Sequence, residues 1–220
     1  MNRSTRLFAM YESMLSALGP SRWWPGDSPF EVAVGAILTQ NTNWRNVEKA
    51  IENLERADKL SPQALYDIPD DQLAALIRPA GYYSLKASRL KNFMSFLKKE
   101  ADLNIESLGS MDPASLRPKI LQVKGIGPET ADSILLYALG MPSFVIDAYT
   151  ARIMIRHGLV PEDVSYHELQ EYFMDALDAD PAVFNEYHAL LVRTGKDWCK
   201  KKAPKRSEER RVGKECATGC

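Results

Sequence analysis

The sequence predicts an all-α protein. Three observations lead there. Apolar residues recur at three- and four-residue spacing through nearly the whole chain. Most of these runs open on Ser, Asp or Pro, and some close on Gly, the signals that start and stop helices. No two alternating runs are joined by a two-residue hairpin turn.

Taken in order, "MNRSTRLFAMYESMLSALGP" places Leu7, Met10, Tyr11, Met14, Leu15 and Leu18 on one helical face. Its apolar core is too short for a secretory signal, and Glu12 interrupts it. The run "FEVAVGAILT" at 30–39 is apolar enough for a buried strand. Its continuation into "NWRNVEKAIENLER" at helical spacing predicts two helices with a polar break at "TQNT". Ser61-Pro62 opens the next helix, with Ser as cap and Pro at the first position. Asp70 or Asp71 starts another, which ends before Pro79. "GYYSLKASRLKNFMSFLKKEA" reads as a long amphipathic helix after a Gly turn, and "SMDPASLRPKILQV" as a helix opened by Asp-Pro. "PETADSILLYALG" closes on Gly140. "DAYTARIMIRHGL" is capped by Asp147, and "SYHELQEYFMDAL" and "PAVFNEYHALLVRTGKDWC" complete about ten helices. No repeat of fixed period is visible.

With 220 residues, 45% of them hydrophobic, the chain can build one or two packed domains. No run of 18 apolar residues exists, so no membrane span is expected. Three cysteines, all beyond residue 198, make no disulfide framework and point to a reducing cytoplasm. A net charge of −1 argues against a polyanion partner on average. Its distribution says more: Arg193 to Lys214 holds ten Lys or Arg against three Asp or Glu. Such a segment can meet phosphates or simply be solvated.

The chemistry concentrates in "KGIGPETAD" at 124–132. Two glycines allow a tight turn with no side chain over it. The exposed N–H groups and the helix start then form a nest for an anion such as a phosphate. Pro128 fits the first helical turn. The same residues also make a plain helix-to-helix turn. Twenty residues after Gly127, "FVIDAYTARI" places Asp147 ahead of a helix. It reads as an N-cap, as a carboxylate at the edge of a dry site, or as both.

The segment "LQVKGIGPETADSILLYALGMPSFVIDAYTARI" resembles the helix-hairpin-helix, Gly/Pro-rich loop and Asp signature of the endonuclease III superfamily of DNA glycosylases. "FEVAVGAILTQNTNWRNVEKAIENL" and "IRPAGYYSLKASRLKNF" resemble the same family, in the right order, and the likeness covers about 28–200. It implies two helical domains with a DNA cleft between them. One is a six-helix domain over 29–141, with the hairpin at about 115–140. The other joins 1–28 to 142–205, which leaves 206–220 as an atypical tail. The implied partner is double-stranded DNA with a damaged base, bound by a monomer in a bacterial or archaeal cytoplasm near the nucleoid.

The resemblance also implies roles. Members that cleave the strand carry a Lys where this chain has Glu129, and a carboxylate cannot form a Schiff base. The chain therefore resembles the monofunctional branch, in which Asp147 supports the reaction. Lys124, Gly125, Gly127 and Thr130 are expected at the DNA backbone, with a monovalent cation possible at the hairpin. Gln40 and Asn41 match the gap-filling loop, and Tyr82 matches the wedge on the opposite strand.

Three of the four tryptophans fall within 22 residues. A Trp-Trp-Pro run before a helix is awkward to bury, and open aromatic faces hold a flipped base, a cationic one best. "WWP" with an aromatic at 44 resembles the 3-methyladenine DNA glycosylase branch. Trp24, Pro25 and Trp44, with Trp23, are the expected base pocket.

The expected function is a monofunctional glycosylase for alkylated purines. Its rivals are a glycosylase or lyase for oxidised or deaminated bases, and a DNA-binding module without catalysis. Catalysis needs no cofactor. Many relatives hold a [4Fe–4S] cluster on the pattern C-x6-C-x2-C-x5-C. Cys199 matches its first ligand, but Arg206, Glu209 and Glu215 stand at the other three positions, and Cys216 and Cys220 are out of register.

Overall fold

The computed structural model describes residues 2–21 and 26–202. The chain divides into two compact units, Trp24–Met141 and Met1–Trp23 with Pro142–Cys220. Every described element is helical, as the periodicity predicts.

The unit Trp24–Met141 is built around α2 (Pro29–Leu38). Ser28 caps it by accepting the Glu31 N–H, and Pro29 occupies the first turn. Phe30 and every residue from Val32 to Leu38 are buried. A helix apolar all round belongs in a core, and this is why 30–39 imitates a buried strand. Against it pack α3 (Trp44–Arg56), α6 (Tyr83–Ala101), α7 (Ile105–Leu108) and α9 (Pro128–Ser133). In α3 the buried stripe is Val47, Ala50, Ile51 and Leu54, at helical spacing. Between α3 and α6 lie α4 (Pro62–Asp67), α5 (Asp70–Leu76) and a 3-10 turn, Arg78–Ala80. Ser61 caps α4 as expected, and α8 (Pro113–Leu121) opens on the Asp112 cap.

This unit holds eight α-helical segments among the described residues, where the resemblance implied six. Two of the extra breaks have local causes. Ile68 is extended (ψ 136°) because it precedes Pro69, which separates α4 from α5. The single turn α7 opens on the Asn104 cap. Beyond α9 the helix widens to π geometry over Ile134–Ala138, then stops at Gly140 (φ 64°).

The second unit holds α1 (Arg3–Leu18), α10 (Ala148–Arg156), α11 (Tyr166–Met174) and α12 (Pro181–Asp197). Both α1 and α10 pack on α12. An aromatic cluster lies in its core. Phe144 stacks on Phe173 with centroids 4.1 Å apart and meets Tyr187 edge-on at 5.8 Å. The buried Tyr187 hydroxyl donates to the Leu7 carbonyl (2.8 Å), and Arg193 donates to the carbonyls of Leu18 and Gly19. These bonds fasten α1 to α12. Among the described residues no helix is long and apolar enough to cross a membrane.

Candidate active site and nucleic-acid interface

Asp147 is where the extended segment after Pro142 turns into α10. Phe144, Val145 and Ile146 are buried, so the chain enters the helix from the core. Side chains of α11 hold that approach: Gln170 Nε2 donates to the Phe144 carbonyl (2.8 Å), and the Ile146 N–H donates to the Tyr166 hydroxyl (3.3 Å). Asp147 then caps α10, its Oδ1 accepting the Thr150 N–H at 2.7 Å. The other oxygen, Oδ2, lies 3.8 Å from His188 Nε2 of α12. The Asp147 side chain is 12% exposed and that of His188 7%, so the carboxylate keeps a narrow opening and the imidazole lies behind it. Burial pushes the His188 pKa below its ordinary value, against the opposing pull of Asp147.

The hairpin joins α8 to α9 through "KGIG". The loop and its flanking helices are braced by contacts that sequence spacing does not show. Arg117 of α8 forms a fork with the fully buried Asp132 of α9, Nε to Oδ1 at 2.7 Å and a second nitrogen to Oδ2 at 2.9 Å. Gln40 Nε2 donates to the Gly125 carbonyl (3.2 Å) and to Thr130 Oγ1 (2.9 Å). Arg89 donates to Gln40 Oε1, and Asn92 Nδ2 to the Lys124 carbonyl (2.9 Å).

The two glycines differ. Gly125 has φ 94°, and a Cβ there would lie 2.5 Å from Arg89 Cγ, so the fold itself requires it. Gly127 has φ −97°, which any residue adopts, and a Cβ there would meet nothing within 4 Å. Its lack of a side chain keeps the start of α9 open to whatever approaches. Lys124 and Glu129 flank that opening as exposed residues.

The expected site residues are thus only partly gathered. Gln40, Gly125 and Thr130 meet directly, and Gln40 is braced inside its unit through both ends of its amide. Asn41 (φ 53°) and Tyr82 (φ 46°) each adopt the left-handed region, and Tyr82 is 71% exposed. Trp44 begins α3, half-buried against the core of the unit. Trp23, Trp24 and Pro25 lie outside the described residues. The residues that pattern reading missed are His188, Arg89, Lys86 and the Arg117–Asp132 pair. All sit within helical runs, and only the folded chain brings their partners near.

Cys199 is buried, and Arg156 donates to its sulfur at 3.3 Å. A [4Fe–4S] cluster takes four thiolates, and Cys199 is the one thiol among the described residues. Those residues alone do not fit the cluster; Cys216 and Cys220 lie outside them. At the hairpin, the carbonyls of Val123, Lys124 and Gly125 each accept an N–H donor. A carbonyl has two lone pairs, so these oxygens keep the donor type that a monovalent cation uses.

Residues 34–179 match the HhH-GPD superfamily of base excision DNA repair proteins. The chain belongs to this family. It is a DNA glycosylase of base excision repair. A protein of Methanocaldococcus jannaschii, described provisionally as a DNA repair glycosylase, is 45% identical over 204 residues, 92% of each chain. The structure of a 3-methyladenine DNA glycosylase from H. pylori, bound to 1,N6-ethenoadenine, is 28% identical, with a TM-score of 0.74 over 89% of this chain and 98% of that one. A non-covalent endonuclease III–DNA complex superposes with a TM-score of 0.79 over 98% of this chain and 97% of that one; at 19% identity this speaks for the fold alone.

Proposed function

We propose that this glycosylase is monofunctional and hydrolyses the N-glycosidic bond of flipped alkylated purines such as 3-methyladenine. The observation that carries the proposal is Glu129. It stands in the first turn of α9, at the position that matches the Schiff-base lysine of strand-cleaving relatives. A carboxylate there offers no amine to attack the sugar, so water is the nucleophile.

Asp147 supports that attack. Breaking the bond builds positive charge on the sugar, and a fixed carboxylate stabilises it and orients or deprotonates the water. The Thr150 N–H fixes Oδ1, and Oδ2 remains as the working oxygen. An alkylated, cationic purine leaves as a neutral base and needs no acid catalyst. Trp44, with Trp23, Trp24 and Pro25, would stack on it, a contact worth about 0.5–2 kcal/mol for a cation on an aromatic face. The likeness to a 3-methyladenine DNA glycosylase supports the same substrate class. The hairpin N–H groups near Gly127 would bind the DNA backbone, with a cation on the loop carbonyls as an optional aid.

The test is single-turnover base release from methylated duplex, run beside uracil and oxidised-pyrimidine duplexes, with strand breaks scored before and after alkali. Methylpurine release with breaks only after alkali is the expected result. Direct nicking, or an adduct trapped by borohydride, would favour the lyase reading instead. Release from another lesion would keep the mechanism and overturn the pocket.

A further inference from the structure

One face of α6 carries three polar side chains at successive i, i+3 positions: Lys86, Arg89 and Asn92. Each reaches a different part of the unit that the proposed function places at the DNA. Lys86 is 1% exposed. Its ammonium donates to the Leu38 carbonyl (2.8 Å) and to the Ala80 carbonyl (2.7 Å). Leu38 leads into the loop of Gln40 and Asn41, and Ala80 leads into Gly81 and Tyr82. Arg89 holds the Gln40 amide oxygen, while its stem lies where a Cβ of residue 125 would be. Asn92 holds the Lys124 carbonyl at the start of the hairpin turn.

A buried ammonium is costly, and an apolar side chain of the same size is often as stable or more so. Here the cost shows in the Lys86 pKa, brought down to about 8 by burial and by the neighbouring Arg89. Lys86 is too enclosed to touch DNA. What the ammonium does that an apolar residue cannot is bind two carbonyls at once and so fix the separation of two loops. Both loops also carry a non-glycine residue at positive φ, Asn41 at 53° and Tyr82 at 46°, a backbone state that persists only when its surroundings enforce it.

We infer that Lys86, Arg89 and Asn92 are positioning residues for base extrusion: they lock the gap-filling loop, the opposite-strand wedge and the hairpin into one rigid frame. The inference rests on the proposed function for its assignment of those loops to DNA. The frame acts before chemistry, when the lesion leaves the stack. Its loss slows extrusion and leaves a base that is already unpaired little affected.

The experiment uses the full chain, with Lys86→Met and Asn92→Ala. The second removes one exposed amide contact and keeps the test alive should the first fail to fold. Each is given a duplex with one 7-methylguanine beside 2-aminopurine, whose fluorescence reports extrusion whether or not the base is released. A second duplex places the lesion opposite an abasic site, where extrusion is easier. The expected result is extrusion slower by about tenfold to a hundredfold on the paired lesion, the scale of a small misplacement, and by less than about threefold on the unpaired one. Equal losses on both duplexes, or no loss on either, would overturn the inference and leave a purely structural stripe. Release by the unaltered protein is scored in the same run. Its absence counts against the proposed function, while the fluorescence still decides the frame.

Discussion

Asp147 and Thr150 are joined by a 2.7 Å hydrogen bond from the Thr150 N–H to the Asp147 carboxylate. One side chain thus caps a helix and, under the proposed function, also supplies the charge for the reaction. The two roles separate by substitution. Asp147→Asn keeps an acceptor for the cap, since Asn caps as well as Asp. Stability should stay within about 0.5 kcal/mol, while base release falls at least about 10²-fold. Asp147→Ala should lose the cap too, about 1 kcal/mol. Thermal melts beside single-turnover release check this; unchanged release by the Asn variant would remove Asp147 from the mechanism.

The burial of His188 sets a pH dependence. Its folded pKa is lowered from the ordinary 6.5, so the unfolded chain binds a proton that the folded chain resists. The stabilisation is complete above the unfolded pKa and is lost as pH falls from there through the folded value. Melting temperature should drop below about pH 6.5, and His188→Gln should flatten that part of the curve. The same slope in both proteins would mean that another group carries it.

Gly125 and Gly127 should respond in opposite ways. Gly125→Ala forces a Cβ into left-handed backbone and onto the Arg89 stem, and should cost about 1–3 kcal/mol. Gly127→Ala meets nothing within 4 Å and should leave stability within about 0.5 kcal/mol. It should instead weaken duplex binding, read by anisotropy across a salt series. Unchanged binding by Gly127→Ala would take the opening at α9 out of the DNA interface.

The fork between Arg117 and Asp132 should dominate the stability of the hairpin. Arg117→Met removes the two-pronged ion pair from a carboxylate that is fully buried, and a loss of about 3 kcal/mol is expected. A double variant with Asp132→Leu should recover part of it. If Arg117→Met alone melts like the unaltered protein, the pair is not what holds α8 to α9.

Trp44 sits half-buried at the head of α3, so Trp44→Ala should cost about 1–2 kcal/mol in packing alone, less than a full burial. If it also stacks on a cationic base, release of methylated purines should fall more than release of any neutral lesion. Equal losses across lesions would leave only the packing role.

Periodicity and caps made most of the helices legible. The stops and starts at Ser61, Asp112-Pro113, Gly140 and Asp147 all fall where local chemistry places them. Glu129 is equally plain in the sequence, and it is the family resemblance that implies an amine at its position. The sequence predicts the hairpin as a glycine turn. That is half of it: Gly125 serves the fold and Gly127 does not, a distinction set by backbone angles and by the place of Arg89.

The sequence by itself determined that the described chain is helical, where most of its helices begin, and that an acid stands at both 129 and 147. These are local properties, written in residues a few positions apart. The tertiary structure alone decided that Lys86 is buried, that Gln40 meets Arg89 and Thr130, and that His188 lies behind Asp147. Those partners are separated by 41 to 90 positions in the chain. A charged residue on an amphipathic helix looks solvated until packing closes over it, and only then does its hydrogen bonding become obligatory.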